Sequence, residues 1–495
     1  MIDPWGRIAR MSFGEIRELQ NKKIKEFVNR QLYPFSPYYR NLFDANHIRP
    51  GDIKGVSDLA KVPLTSKSDF IGYTQDLEKY QDFILQPSQE LIRQYWPKQK
   101  LLQLGLTSLC RGPNYLAHQL GEEYRPMFIT FTTGTTNKPV PFVYSGYDIK
   151  NLHLSGSRML TLFNMKGNDR AVNLFPYAPH LAFWQVVFGG FSSRVLILST
   201  GGGKVVSSDG NVSAILKLKP SVILGVPSYV YHVLRLAREK GYEMSFVKKV
   251  VLGAGRVSEA FKIRLINLLS GMGAKDVSVF GTYGFTEARC AWVECPTHPD
   301  ISSGYHLYPD KEIFEVIDPD TGELKKEGED GELVYSSLDS RGSVVIRYRT
   351  GDFVKGGISY EPCPHCRLSV PRISSDITRL SDIKDLKLSK IKGTLVNLNN
   401  FINILNEFNQ IAEWQIEIRK KDNDPYEVDE LIIYVSANEG VQKEQLAEDI
   451  KRNILLSTEL TPNEVIFLSL SEIVKRLELE TASKEKRIID SRPKL

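Results

Sequence analysis

The stretch Phe128-Ile-Thr-Phe-Thr-Thr-Gly-Thr-Thr-Asn-Lys-Pro-Val140 decides how this chain is read. A short β-branched and aromatic run enters a loop of hydroxyls around one glycine, and a lysine and a proline close it. Five threonines lie between Thr130 and Thr136. On composition alone that is poor helix and an ordinary Thr-rich hairpin turn. Gly134 and Lys138 change the chemistry. Glycine lets backbone N–H groups turn toward an anion, hydroxyls donate further hydrogen bonds, and an ammonium supplies charge. Thr132, Thr133, Gly134, Thr135, Thr136 and Lys138 therefore form a candidate triphosphate cradle. The spacing is not that of the Walker loop, which needs G-x-x-x-x-G-K-[ST].

Outside this loop, the bulk properties bound the answer. At 495 residues the chain exceeds the size at which one core keeps growing, so two or more domains are expected. Hydrophobic residues make up 42% and charged residues 25%, which is the balance of a soluble globular protein. A net charge of +5 comes from 64 Lys and Arg interleaved with 59 Asp and Glu, so no basic stripe marks a nucleic-acid surface. No apolar run is long enough to span a bilayer, and residues 1–18 carry no signal-peptide core. Five cysteines, four of them in the pairs Cys290/Cys295 and Cys363/Cys366, suit a reducing compartment and a metal better than disulfides. These features point to the cytoplasm. Nothing in the sequence assigns an oligomeric state.

Helical spacing runs from Phe13 to about residue 31 and breaks at Ser36-Pro-Tyr-Tyr39. Residues 76–120 read as helices and a loop without assignable chemistry. Beyond the Thr-rich loop, apolar strand candidates at Ala171–Phe175, Val195–Leu198, Ser221–Val226 and Lys249–Leu252 alternate with helical patterns, which argues a largely parallel α/β sheet. Ser199-Thr-Gly-Gly-Gly-Lys204 could be a second phosphate loop, but a plain strand-to-helix turn accounts for it.

Three further stretches carry chemistry. Val250-Val-Leu-Gly-Ala-Gly255 ends a strand with Gly253 and Ala254, where a flat ring can approach the backbone. Ser278-Val-Phe-Gly-Thr-Tyr-Gly-Phe-Thr-Glu287 brings Tyr283 to stack on a base, Gly284 to allow close approach, and Thr286 with Glu287 as oxygen ligands for Mg²⁺ on phosphates. In Arg347-Tyr-Arg-Thr-Gly-Asp352, a carboxylate after a tight glycine turn can accept both ribose hydroxyls.

The Thr-rich loop resembles the Thr-Ser-Gly-Thr-Thr-Gly-Lys-Pro loop of adenylate-forming enzymes, with Thr133 and Asn137 in place of Ser and the second Gly. Tyr283-Gly-Phe-Thr-Glu287 is similar to that family's Tyr-Gly-Leu-Thr-Glu, and Tyr348-Arg-Thr-Gly-Asp352 matches its motif letter for letter. Tyr38-Tyr-Arg40 through Val62-Pro-Leu-Thr-Ser-Lys-Ser-Asp69 resembles the N-terminal layout of phenylacetate-CoA ligases. The resemblance runs over nearly the whole chain and is weakest at residues 70–120. It implies an α/β fold: a large multilayer N-terminal AMP-binding domain, expected at 1–377, and a small mobile α+β C-terminal domain at 394–495. A hinge at 378–393 would join them.

The family's hinge Arg, which reaches the ribose, matches Arg379, with Asp382 and Gly393 as weaker matches in Ile377-Thr-Arg-Leu-Ser-Asp382 and Lys392-Gly393. The order β-β-α-β beyond it suits a ferredoxin-like lid. Ser483-Lys-Glu-Lys-Arg-Ile-Ile-Asp490 resembles Gly-Lys-Ala-Lys-Arg-Val-Ile-Asp, which puts the family's catalytic lysine at Lys484.

Cys363-Pro-His-Cys366 has zinc-knuckle spacing, and Cys295 lies upstream with His298 and His306 after it. The resemblance favours Cys295, His306, Cys363 and Cys366 as the ligands of a closed structural Zn²⁺ site, since Gly304-Tyr-His306 matches a Gly-Leu-His segment there. His298 and Cys290 are the alternatives.

The chemistry implied is ATP-dependent activation of a carboxylic acid to acyl-AMP, then transfer to coenzyme A. A carboxylate with a pKa of roughly 4–5 is ionised at pH 7, so no general base is needed, which fits a chain without a nucleophile–base constellation. Lys138, Glu287 and Lys484 are the expected catalytic residues. Phe175-Pro-Tyr-Ala-Pro-His-Leu-Ala-Phe-Trp184 and Ala254 are expected to shape a pocket for an aromatic or bulky acid, with His180 as either a carboxylate contact or a loop residue. The alternatives are AMP transfer to a non-thiol acceptor of the deazaflavin type and a non-catalytic nucleotide-binding partner.

Overall fold

The computed structural model describes residues 3–71, 79–132, 139–380, 388–391, 394–424, 428–458, 460–479 and 485–492. Thr133, Gly134, Thr135, Thr136, Lys138, Asp382, Gly393 and Lys484 lie outside the described residues.

In chain order, β1 (Pro126–Phe131) and β2 (Pro141–Ser145) form an antiparallel hairpin. A six-stranded sheet follows. It is built from β3 (Arg170–Asn173), β4 (Leu196–Ser199), β5 (Val222–Gly225), β6 (Lys249–Leu252), β7 (Ser278–Phe285) and β8 (Cys290–Val293), in the order β4-β3-β5-β6-β7-β8. All of its pairings are parallel except β7 with β8. All four strand candidates from the sequence are present within a residue or two of their expected bounds.

These strands are short and apolar because both faces are covered. Ala171, Val222, Leu224 and Val251 face one core, shared with helix Gly146–Leu162. Val172, Ile223, Val250 and Leu252 face the other, under helices Ser208–Leu218, Pro227–Glu239 and Glu259–Ser270. Helix Leu181–Ser193 packs on Gly146–Leu162 at Gly156 and Gly189, where a Cβ on Gly156 would stand 2.5 Å from the Gly189 Cα. Only glycine permits that approach.

From β3 the chain crosses to β4 on one side, and from β5 it crosses to β6 on the other. The carboxyl ends of β3 and β5 are therefore a topological switch point, where an open α/β sheet leaves a crevice. Ser199–Lys204 turns there from β4 toward helix Ser208–Leu218, with the Tyr177 N–H donating to the Gly201 carbonyl at 3.0 Å. It is the strand-to-helix turn.

A second layer comprises β9 (Tyr305–His306), β10 (Glu312–Ile317), β11 (Gly331–Ser337), β12 (Tyr348–Val354), β13 (Ile358–Ser359), β14 (Arg372–Ile373) and β15 (Ile377–Arg379). β10-β11-β12-β15 is antiparallel, and β13-β14-β9 forms a small three-stranded sheet. The N-terminal helix Phe13–Phe27 starts with a Ser12/Glu15 capping box. Its following segment reaches this layer through Thr65, which pairs with the backbone of Arg347 and Arg349. Residues 76–120, read from the sequence as helices and a loop, include helices Gln89–Tyr95 and Lys98–Arg111 and the start of Pro113–Tyr124.

The hairpin β16 (Leu388–Ile391) and β17 (Thr394–Asn397) leads to a unit with its own core around Trp414, Ile416, Ile433, Leu446 and Ile450. Its sheet runs β20 (Glu464–Phe467), β19 (Asp429–Ala437), β18 (Ile411–Lys420), β21 (Ile488–Asp490). The expected β-β-α-β order is present, with helix Lys443–Thr458 as its crossover. The ferredoxin-like label is corrected. β19 and β20 are direct parallel neighbours, and β18 pairs in parallel with β21, so no strand splits the β-α-β unit. The tail 488–490 occupies the free edge of β18, and the helix crosses only to the nearest edge of β19.

β15 pairs Arg379 with Asp352, so Thr378 and Arg379 continue the sheet of β12. The two units meet where Arg235 and Arg264 donate to the carbonyls of Ala412 and Ile411, respectively.

Candidate active site

β1 and β2 flank residues 133–138, and their last register pair is Phe131 with Pro141. Above it, the Thr132 N–H donates to the Val140 carbonyl and the Val140 N–H donates to Thr132 Oγ1, both at 3.0 Å. Thr132 is buried. With Val140 it closes the neck between β1 and β2. The Phe131 carbonyl accepts from Thr286 Oγ1 at 3.4 Å and lies 3.0 Å from His180 Nδ1. The neck is thus tied to the end of β7 and to the start of helix Leu181–Ser193.

β7 changes partner midway. Leu252↔Gly281 is its last pair with β6, and Thr282↔Val293 its first with β8. Thr282 Oγ1 donates to the Leu252 carbonyl at 2.9 Å, so a Cβ on Gly253 would collide with that hydroxyl. Ala254 follows with φ 59°, exposed at the mouth of the same turn. Phe175 borders Gly253 from the β3 end and is buried, as is Phe183. Tyr177 is exposed and contacts Phe183 edge-on, while Trp184 donates to the Ala178 carbonyl at 3.2 Å. The aromatic segment therefore starts at the carboxyl end of β3 beside Gly253, with part of it spent on the core.

Two carboxylates stand beside this strand end. Asp352 is buried. Its Oδ2 accepts from the Tyr283 hydroxyl at 2.8 Å, and its Oδ1 lies 3.1 Å from Arg379 Nη1. Arg379 also donates to the Thr350 carbonyl at 3.0 Å. Tyr283 leans on Trp292, ring centroids 5.8 Å apart. Gly284 is exposed in β7, opposite Ala291. Glu287 Oε1 accepts from the Tyr348 hydroxyl at 2.9 Å. Burial pushes the Glu287 carboxyl above its ordinary value, and that hydrogen bond and the Arg379 charge only partly oppose the rise. A desolvated carboxylate beside the Thr286 hydroxyl is a donor set that fits a hard divalent cation.

Sequence reasoning did not single out Tyr348, although it lies inside the quoted Arg347–Asp352 motif. Nor did it foresee that Tyr283 and Arg379 share one carboxylate. Simple strand alternation gives no signal for this, because the register of β12 against β11 shifts between Arg349 and Phe353.

The cysteines and one histidine converge. The ligand atoms of Cys295, His306, Cys363 and Cys366 all lie within 4.8 Å of one another. Cys295 Sγ is 3.7 Å from Cys363 Sγ, and Cys366 Sγ is 3.2 Å from His306 Nε2. The edge of a sulfur tetrahedron around zinc is about 3.8 Å for Zn–S bonds of roughly 2.3 Å, so the group fits a closed Zn²⁺ site. Hydrogen bonds from the Cys295 and Cys366 thiols hold the Cys363 thiol below its ordinary value. Of the alternatives, His298 is exposed and paired with Asp300. Cys290 is buried elsewhere, its sulfur 3.6 Å from the Ala291 carbonyl.

A parallel sheet with a switch-point crevice, and the carboxylates of Asp352 and Glu287 beside the end of β7, are the frame of a nucleotide-binding α/β enzyme. The chain belongs to the AMP-binding enzyme family, whose model matches residues 74–339. It is 25% identical over 501 residues to a phenylacetate-coenzyme A ligase of Aromatoleum evansii, covering 98% of this chain and 97% of that one. A phenylacetate-coenzyme A ligase of Thermus thermophilus is 26% identical over 373 residues, covering 74% of this chain and 71% of the relative. Among solved structures, a 2-hydroxyisobutyryl-CoA ligase in a postadenylation state with its acyl-AMP overlays with a TM-score of 0.75 at 17% identity, covering 98% and 92% of the two chains. No helix among the described residues is long and apolar enough to cross a membrane.

Proposed function

We propose that this protein is an AMP-forming acid–thiol ligase that activates a carboxylic acid with ATP to acyl-AMP and transfers the acyl group to coenzyme A. The full-length match to a phenylacetate-coenzyme A ligase carries the reading. Asp352, oriented by Tyr283 and Arg379, would accept the ribose hydroxyls. Gly253, Ala254 and Gly284 would flank the adenine side of the nucleotide, with Tyr283 beside them. Thr133, Gly134, Thr135, Thr136 and Lys138 would hold the departing pyrophosphate. Thr286 and Glu287 would hold Mg²⁺, which neutralises phosphate charge.

The substrate carboxylate attacks the α-phosphorus, and the bond to the pyrophosphate oxygen breaks. The acid arrives ionised, so the protein supplies position and countercharge rather than a base. The aromatic segment between Phe175 and Trp184 supports an aromatic or bulky acid. Cys295, His306, Cys363 and Cys366 would hold Zn²⁺, which fixes their loops and takes no part in the chemistry. The chain would divide into an AMP-binding domain at 1–377, a hinge at 378–393 and a lid at 394–495.

The test is pyrophosphate and AMP release across aromatic, branched and long-chain acids, with and without coenzyme A. Acid-dependent pyrophosphate release, with thioester and AMP formed only when coenzyme A is present, is the expected result. Pyrophosphate release without any thioester would move the acceptor to a non-thiol group. No release with any acid would refute catalysis.

A further inference from the structure

Glu294 is a buried carboxylate that none of the roles above uses. Its Oε2 accepts the Gly281 N–H at 2.5 Å, and both of its oxygens accept from Lys262 Nζ, at 2.8 and 2.9 Å. The Ser302 hydroxyl also donates to it. Lys262 and Glu294 side chains are each only 3% exposed. A buried ion pair costs desolvation that an apolar pair of the same size avoids, so stability alone is a weak reason for it. What the pair touches is more telling.

Gly281 is the residue at which β7 leaves β6 for β8, just before Thr282 and Tyr283. Lys262 rises from helix Glu259–Ser270, which follows the Gly253–Gly255 turn. Glu294 is covalently next to Cys295, and Ser302, its other partner, accepts the Gly304 N–H at 3.1 Å, two residues before His306. The Cys295 N–H donates to Ser303 at 2.9 Å, closing the same loop. One carboxylate therefore touches the strand carrying Tyr283 to Glu287, the helix behind Gly253 and Ala254, and the loop presenting two of the four Cys/His ligands.

We propose that Glu294, neutralised by Lys262, is a positioning residue that couples the Cys/His metal centre to the adenylate-binding strand. This rests on the proposed role of β7. Metal at the cluster fixes the 295–306 loop, the loop fixes Glu294 through Ser302, and Glu294 fixes the Gly281 amide. The carboxylate is buried, with Lys262, Gly281 and Ser302 as its partners.

The test measures amide hydrogen exchange in the peptide spanning 278–287 and zinc loss under EDTA, in wild type, Glu294→Ala and Lys262→Met/Glu294→Gln. Loss of one charged, buried hydrogen bond should speed exchange in that peptide and zinc loss by about tenfold or more in Glu294→Ala. The KM for ATP should rise more than kcat falls. The double variant keeps an acceptor for Gly281 without leaving an unpaired charge, and should return all three readouts to within about threefold of wild type. Wild-type protein stripped of zinc should show the same faster exchange at 278–287.

Unchanged exchange there in both Glu294→Ala and stripped wild type overturns the proposal, as does zinc loss from Glu294→Ala at the wild-type rate. Should Glu294→Ala not fold, the stripped wild type alone decides. Exchange and zinc retention are read without turnover. A wild type that releases no pyrophosphate therefore refutes the proposed function and leaves this test standing.

Discussion

Tyr283 and Asp352, separated by 69 residues in the chain, meet through a 2.8 Å hydrogen bond from the tyrosine hydroxyl to one carboxylate oxygen, while Arg379 holds the other at 3.1 Å. The carboxylate is thereby fixed before any nucleotide arrives. Tyr283→Phe should raise the KM for ATP by about tenfold with little change in kcat, the cost of one charge-assisted hydrogen bond. Asp352→Ala should abolish measurable saturation by ATP. Pyrophosphate-release kinetics against ATP concentration separate the two, and an unchanged KM in Tyr283→Phe would refute the orienting role.

Glu287 should behave differently. Its carboxyl is raised by burial, and the Tyr348 hydroxyl lowers it. Cation binding needs the ionised form, so adenylation should fall as pH falls, through an apparent pKa above the ordinary 4.5. Tyr348→Phe should move that acidic limb upward. Glu287→Gln should slow adenylation by about a hundredfold or more, with partial rescue by excess Mg²⁺. A pH–rate profile identical in wild type and Tyr348→Phe would contradict the pairing.

Lys484 separates the two half-reactions. The family resemblance puts its ammonium near the α-phosphate only while the acyl-AMP forms. Lys484→Ala should lose a factor of about 10² to 10³ in acyl-AMP formation, yet convert supplied acyl-AMP and coenzyme A to thioester at a near-normal rate. Lys486→Ala should be far milder, since its ammonium already pairs with Glu478. Equal slowing of both half-reactions in Lys484→Ala would exclude the assignment.

The Cys/His cluster should hold one zinc ion per chain. Untagged Cys363→Ser/Cys366→Ser protein should contain none and should melt several degrees lower, on the order of 2 kcal/mol or more of lost stability. Equal zinc in both proteins, measured by elemental analysis, would remove the site.

Glu312 provides a pH signature of folding. Burial pushes its carboxyl from 4.5 up to about 8, against the N–H groups of Trp292 and Tyr308 that donate to it. Between those values the folded protein holds a proton that the unfolded chain has released. Stability from this group therefore falls as pH rises through the window, by about 1.4 kcal/mol per pH unit at most. Glu312→Gln removes that slope. Relative to wild type, it should gain stability between pH 5 and pH 8.5 in urea melts, and an unchanged difference would refute the shift.

Local sequence carried the fold class because its signals are local. Apolar runs of four or five residues between helical patterns specify buried parallel strands, and Thr130–Lys138, Tyr283–Glu287 and Tyr348–Asp352 each hold their chemistry within one turn or strand end. Cys363 and Cys366 likewise declare a metal knuckle by spacing alone. The fourth ligand was not readable that way. His298 is closer to Cys295 in sequence, but His306 is the one that β9 and its partner β14 carry inward beside Cys366.

The remaining features depend on contacts across tens to hundreds of residues. No periodicity reports that Tyr348 meets Glu287, that Thr132 closes the loop neck, or that the tail takes the edge of β18 and leaves β19 beside β20. Nor does it report that Glu294 reaches Gly281 and Lys262 together. Sequence alone determined which residue types stand at each strand end, because backbone geometry and burial act there over a few positions. The tertiary structure decided their partners, because those depend on which strands pair and which carboxylates are buried where only a specific donor can satisfy them.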